Sequence, residues 1–162
     1  MEASVRPVRA PLVAALLVVT LAACGGGGGE PDVAVVGAAQ AAVPVAGSSQ
    51  VVVTLENTGD GDDTLVSAST DVALGVELHR TDISDGTASM DELDEVPVPA
   101  GEQVRFRPGE THLMLVVPDS TVVEGGTFEL TLELERSGAL TFPVTVVPLL
   151  DLAEDAFDEQ AP

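Results

Sequence analysis

Residues 127–147 read TFELTLELERSGALTFPVTVV, and their pattern decides the fold. Phe128, Leu130, Leu132 and Leu134 alternate with Thr127, Glu129, Thr131, Glu133 and Glu135, and Leu140, Phe142, Val144 and Val146 repeat the alternation. Successive side chains of a strand point to opposite faces, so a period of two collects the apolar residues on one side. Such segments read as half-buried antiparallel strands. Upstream, Val51, Val53 and Leu55 alternate with Val52, Thr54 and Glu56 in the same way. Turn signals punctuate the chain at Gly59 to Asp63, Ser84-Asp85-Gly86, Pro99-Ala100-Gly101, Pro108-Gly109 and Glu124-Gly125-Gly126. Many short strands at this spacing predict an all-β sandwich or barrel. The acidic run Asp60 to Asp63 lacks the ligand series and closing glutamate of an EF-hand, and reads as a hairpin turn.

Apart from the initiator, the chain has two methionines and two histidines, and all four fall in one pattern. His79 is followed after ten residues by Met90, Met90 after twenty-one by His112, and His112 after one by Met114. Singly, a methionine in such a domain reads as a core gap-filler and a histidine as a solvated side chain. Those readings also predict histidines and methionines elsewhere, and there are none. Thioether sulfur is a soft, neutral ligand suited to Cu(I) and poorly suited to zinc, calcium or magnesium. Thr111 to Val117 reads as a strand, so His112 and Met114 share one face while Leu113 and Leu115 take the other.

This spacing resembles the signature of the periplasmic copper chaperone family PCuAC. The resemblance runs from about Val51 to Val147, through VVVTLENTGDGDDTLVSAST, GVELHRT, PGETHLMLVV and the segment from Glu124 to Val147. It implies a cupredoxin-like Greek-key fold, with His79, Met90, His112 and Met114 as Cu(I) ligands. It further implies delivery of copper to the cytochrome c oxidase subunit carrying the CuA centre, with other copper chaperones as further partners. The family's loop before the second ligand is often richer in methionine than TDISDGTAS here. The tail also lacks the His/Met cluster that lets some relatives take Cu(II). With this ligand set, His79 should close a strand whose Val76 and Leu78 face the core, at the end of the barrel, and Met90 should arrive from the connection that follows. Arg105 and Arg107 read as solvated and unrelated to copper. The same ligands would equally serve a membrane-anchored protein that scavenges or buffers copper without delivering it.

The front of the chain points outside the cytoplasm. Arg6 and Arg9 form a positive n-region, and Pro11 to Leu21 an apolar run too short to span a bilayer as a mature helix. Residues 1–23 therefore read as a signal peptide. Leu21-Ala22-Ala23-Cys24 resembles the lipobox of bacterial lipoproteins, which implies acylation of Cys24 and anchoring to an envelope membrane. Residues 24–31, with Gly25 to Gly29, read as a flexible tether, 32–147 as the copper-binding domain, and 148–162 as an acidic tail, mobile or a short amphipathic end.

Composition removes other classes of function. Cys24 is the only cysteine, which argues against a disulfide scaffold, a zinc-thiolate site, thioredoxin-like chemistry and a blue-copper centre. A net charge of −21, with no lysine, argues against nucleic acid and against P-loop or Schiff-base chemistry. No Gly-X-Ser-X-Gly motif occurs, and the chain does not read as an enzyme.

Overall fold

The computed structural model describes residues 28–152 apart from Asp85. Among them lie ten strands: β1 (Val33–Ala42), β2 (Ser48–Asn57), β3 (Asp63–Ser69), β4 (Ala73–Ser84), β5 (Thr87–Glu92), β6 (Val96–Val98), β7 (Gln103–Phe106), β8 (Thr111–Pro118), β9 (Thr127–Leu134) and β10 (Gly138–Val147). The sheet runs β4-β8-β2-β1-β10-β9-β3, and pairing of β3 with β4 at Ala68 and Val76 closes it into a seven-stranded barrel. Closure removes most free edges, the usual hazard of an all-β chain. Strand β5 is added outside β4, β6 outside β3, and β7 beside β2. All pairings are antiparallel except β1 with β10.

The alternation seen in sequence becomes the two sides of this wall. Val51, Val53 and Leu55 from β2, Leu130 and Leu132 from β9, and Val144 and Val146 from β10 are buried in one core with Leu113, Leu115 and Phe106. Residues between them, such as Glu129 and Glu133, are exposed. The all-β barrel expected from the periodicity is therefore the observed fold.

Three sequence expectations change at the borders. The Gly59–Asp63 segment is not a hairpin turn, because β2 and β3 do not pair with each other; it carries the chain from the β1/β8 side of the barrel to the β9 side. Asp62 and Asp63 serve there as hydrogen-bond acceptors, Asp62 from the N–H of Ala100. The carboxylate of Asp63 takes the backbone N–H groups of Thr64, Arg136 and Ser137, and the side chain of buried Asn57 joins Asp32, Gly59, Gly61 and Val98. Free tethering also ends earlier than residue 31. Arg136 donates to the carbonyl of Gly29 (2.7 Å) and Asp60 N–H to that of Glu30 (3.2 Å). A side chain at Gly61 would collide with the Gly29 carbonyl, so this close approach requires glycine there. At the other end, residues 149–152 form a turn of helix with Leu152 fully buried, so the domain continues past Val147. The signal peptide, Cys24 and the end of the acidic tail lie outside the described residues.

Candidate metal centre

Antiparallel pairing of β4 with β8 sets His79 directly opposite His112, and Glu77 opposite Met114. Leu78 and Leu113 on the alternate positions point into the core, so these four side chains lie together on the outer face of the wall. Pairing of β4 with β5 then sets Thr81 opposite Met90 and His79 opposite Glu92, which makes Met90 the diagonal neighbour of His79. The hairpin that brings it there closes at Ser84 and Thr87, with Gly86 at a φ of 76°. Residues separated by up to thirty-five positions, His79 to Met114, thus meet on three adjacent strands.

Two local expectations need correction. His79 does not close its strand: β4 continues to Ser84, although its pairing with β8 ends one residue after His79, at Arg80. Met90 arrives on strand β5 and not on an irregular connection, because the second half of β4 finds a partner in its own hairpin.

The two imidazoles are both buried, His112 completely, and stand edge to face with centroids 5.8 Å apart. Nδ1 of His112 lies 3.0 Å from the carbonyl oxygen of Glu110. A carbonyl only accepts, so the proton sits on Nδ1 and Nε2 carries the lone pair. That Nε2 is buried and has no hydrogen-bond partner. An unsatisfied buried polar atom costs about 1–3 kcal/mol, and groups left so in a native fold call for an explanation. On the other ring, Nδ1 of His79 is 3.2 Å from Sδ of Met90, and Nε2 is 3.1 Å from a carboxylate oxygen of Glu77. Met90 is 48 % exposed, which leaves one side of the cluster open to solvent, while Met114 is half-buried. Among the described residues no three His, Cys, Asp or Glu side chains converge to hold a metal, so a metal here would depend on sulfur.

The carbonyl that orients His112 is itself held. It also accepts the N–H of Thr81 (3.1 Å), and the turn bearing it is braced by Arg107, whose guanidinium meets the Glu110 carboxylate at 2.7 Å and whose N–H donates to Thr111. Arg107 is thus part of the support of the cluster and not simply a solvated cation. Arg105, by contrast, sits opposite Thr54 on β2, beside Gln103. Sequence reasoning also passed over Glu77 and Glu110. The signal was available for Glu77, which stands two residues before His79 and so shares its face.

Set on a closed β-barrel, this cluster of two imidazoles and two thioethers defines a small domain built around one soft-ligand face. The chain belongs to the family described as "Putative lipoprotein LpqE-like", whose model matches residues 33–146. It is 31 % identical over 121 residues to "Putative lipoprotein Lxx21020" of Leifsonia xyli, covering 73 % of this chain and 71 % of that one. Among solved structures it is similar to Cu(I)-loaded DR1885 of Deinococcus radiodurans, with 26 % identity, a TM-score of 0.59, and coverage of 70 % and 77 % of the two chains. The copper-bound PCuAC domain of PmoF2 shares the fold at 22 % identity and a TM-score of 0.57, over 68 % of this chain and 88 % of that domain.

Burial, foremost, and the neighbouring His79 hold the pKa of His112 below the ordinary imidazole value, against the opposing pull of the Glu110 carbonyl. The unfolded chain therefore takes up this proton first, from about pH 6.5 downward. The metal-free domain should lose stability from that pH down to the lowered pKa, with no such loss above it. Denaturant titrations across pH, compared between wild type and His112→Asn, should show the difference between the two proteins changing in that window. A difference constant with pH would contradict it.

Proposed function

We propose that this domain is an extracytoplasmic copper carrier that binds one Cu(I) through His79, Met90, His112 and Met114. The observation that carries the reading is the buried Nε2 of His112, a lone pair with no hydrogen to receive, on the same face as a second imidazole and two thioethers. The copper bound by the similar PCuAC domain of PmoF2 and by DR1885 supports it. Neutral nitrogen and sulfur donors suit a soft monovalent ion, which would be cargo here and not a centre for turnover. Exposed Met90 supports exchange, because an acceptor's ligands can reach the site from its side. The acceptor that fits best is the CuA-bearing subunit of cytochrome c oxidase, with storage or scavenging as the other reading of the same site.

Replacing either Met90 or Met114 with Leu keeps apolar volume and removes the sulfur. Each variant should remain folded and bind Cu(I) at least about tenfold more weakly in competition with a chelator. Unchanged affinity in both would rule out the ligand set.

Delivery is a separate outcome. The four donors leave the charge of Cu(I) without a thiolate, so a reduced CuA domain, which offers cysteines, should win the ion on softness and charge. Mixing the loaded protein with the reduced apo domain and assaying copper after separation tests this. Transfer no faster than release to solution would favour storage.

The family and the Leifsonia relative both carry lipoprotein names, which supports acylation of Cys24 and attachment of the domain to an envelope membrane. The full-length protein should partition into detergent and Cys24→Ala into water. Equal partitioning into water would refute the anchor.

A further inference from the structure

We propose that Glu77 is a positioning residue for this site: its carboxylate holds the Nε2–H of His79 and so turns the Nδ1 lone pair of that ring toward the metal, beside the thioether of Met90. The inference rests on the copper reading above. A carboxylate only accepts and is a stronger acceptor than a thioether, so one lying 3.1 Å from Nε2 favours the ring form that carries its proton on that nitrogen. A neutral imidazole has one such proton, which leaves Nδ1 bare. The atom facing Nδ1 at 3.2 Å is the sulfur of Met90, which has no hydrogen to offer. In that neutral form two electron-pair donors converge with no proton between them, an arrangement that a Lewis acid stabilises.

The two imidazoles are thus oriented by different devices and present different nitrogens. His112 gives its Nδ1–H to the Glu110 carbonyl and keeps Nε2 free, whereas in His79 the Glu77 carboxylate beside Nε2 favours the proton there and a free Nδ1. Ligating histidines commonly hand their other N–H to a carboxylate or a backbone carbonyl, which fixes tautomer and ring orientation. Here one ring uses each. Glu77 comes from the same strand as His79, two residues earlier, and lies opposite Met114 in the β4–β8 ladder. It also sets a negative charge beside four neutral donors, which offsets the charge of a bound Cu(I). Its side chain is 39 % exposed, so solvent screens that charge and orientation of the ring is the larger part of its effect.

The test has two readouts. Long-range proton–nitrogen spectra of the metal-free domain, in mildly alkaline buffer, report which ring nitrogen carries the proton. Wild type should show the Nε2–H form for His79 and the Nδ1–H form for His112. Glu77→Ala should leave His112 unchanged and give His79 a mixture of both forms. Cu(I) affinity of Glu77→Ala, measured against a chelator, should fall about 10- to 100-fold, with thermal unfolding of the metal-free protein close to wild type. Glu77→Gln retains an acceptor oxygen without the charge and should fall between the two, and it serves if the alanine variant misfolds. An Nδ1–H form of His79 in wild type, or unchanged tautomer and affinity in both variants, would overturn the proposal. Should wild type bind no Cu(I), the affinity arm fails for every protein alike and the functional reading falls, taking the role of Glu77 at the metal with it, even where the tautomer spectra agree.

Discussion

The register of β4 against β8 is the constraint on which this molecule depends. It sets His79 opposite His112 on the outside and Leu78 opposite Leu113 on the inside. A slip by one residue would exchange the two sets, because strand side chains alternate with a period of two. The leucines decide the outcome. Burying each of Leu78, Leu113 and Leu115 stabilises by about 1.5–3 kcal/mol, whereas turning imidazoles into the apolar core would remove their hydrogen-bond partners. The core thereby selects the register, and the site follows from it.

That arrangement carries a cost, and the most enclosed part of it falls on His112. His112 is fully buried and keeps one nitrogen without a partner, while its other nitrogen is tied to a carbonyl that Thr81 also binds. The turn carrying that carbonyl is closed by Arg107 through its backbone and its guanidinium. A lone pair is thus held in a fixed direction by groups that are themselves satisfied. His79 is less enclosed, and its contacts come from Glu77 and Met90. The cluster accordingly has a rigid inner side on β8 and a more open side on the β4–β5 hairpin, where Met90 is exposed. Such a division suits a site that must hold an ion and also part with it.

The acidity of the chain is distributed differently. Some carboxylates are spent on the fold itself. Burial works to raise the pKa of Asp63, yet hydrogen bonds from Ser137, Arg136 and Thr64 prevail and hold it below the usual carboxylate range. Glu110 is likewise lowered, chiefly by its bond to Arg107. Both act as acceptors at turns, and Asp63 does so at the end of the crossing in which Gly29 packs against Gly61.

Periodicity and ligand chemistry were legible without coordinates. The alternation in residues 51–56 and 127–147 determined strands with a buried side, because a period of two has no other economical burial. The four donors named themselves by being the only histidines and methionines after the initiator, and the single spacing His112-Leu113-Met114 already placed two of them on one face. Pairing was not legible. That β3 meets β4 to close the barrel, that β2 and β3 stay apart, that β4 runs on past His79, and that Met90 returns on a strand all depend on contacts between distant segments, which local pattern does not encode. Glu77 and Glu110, each two residues before a histidine, lay within reach of local pattern, as did Arg107 three residues before Glu110. The packing of β4 against β8 sets the two imidazoles against each other and leaves Nε2 of His112 buried without a partner, and only the tertiary structure supplies that enclosure.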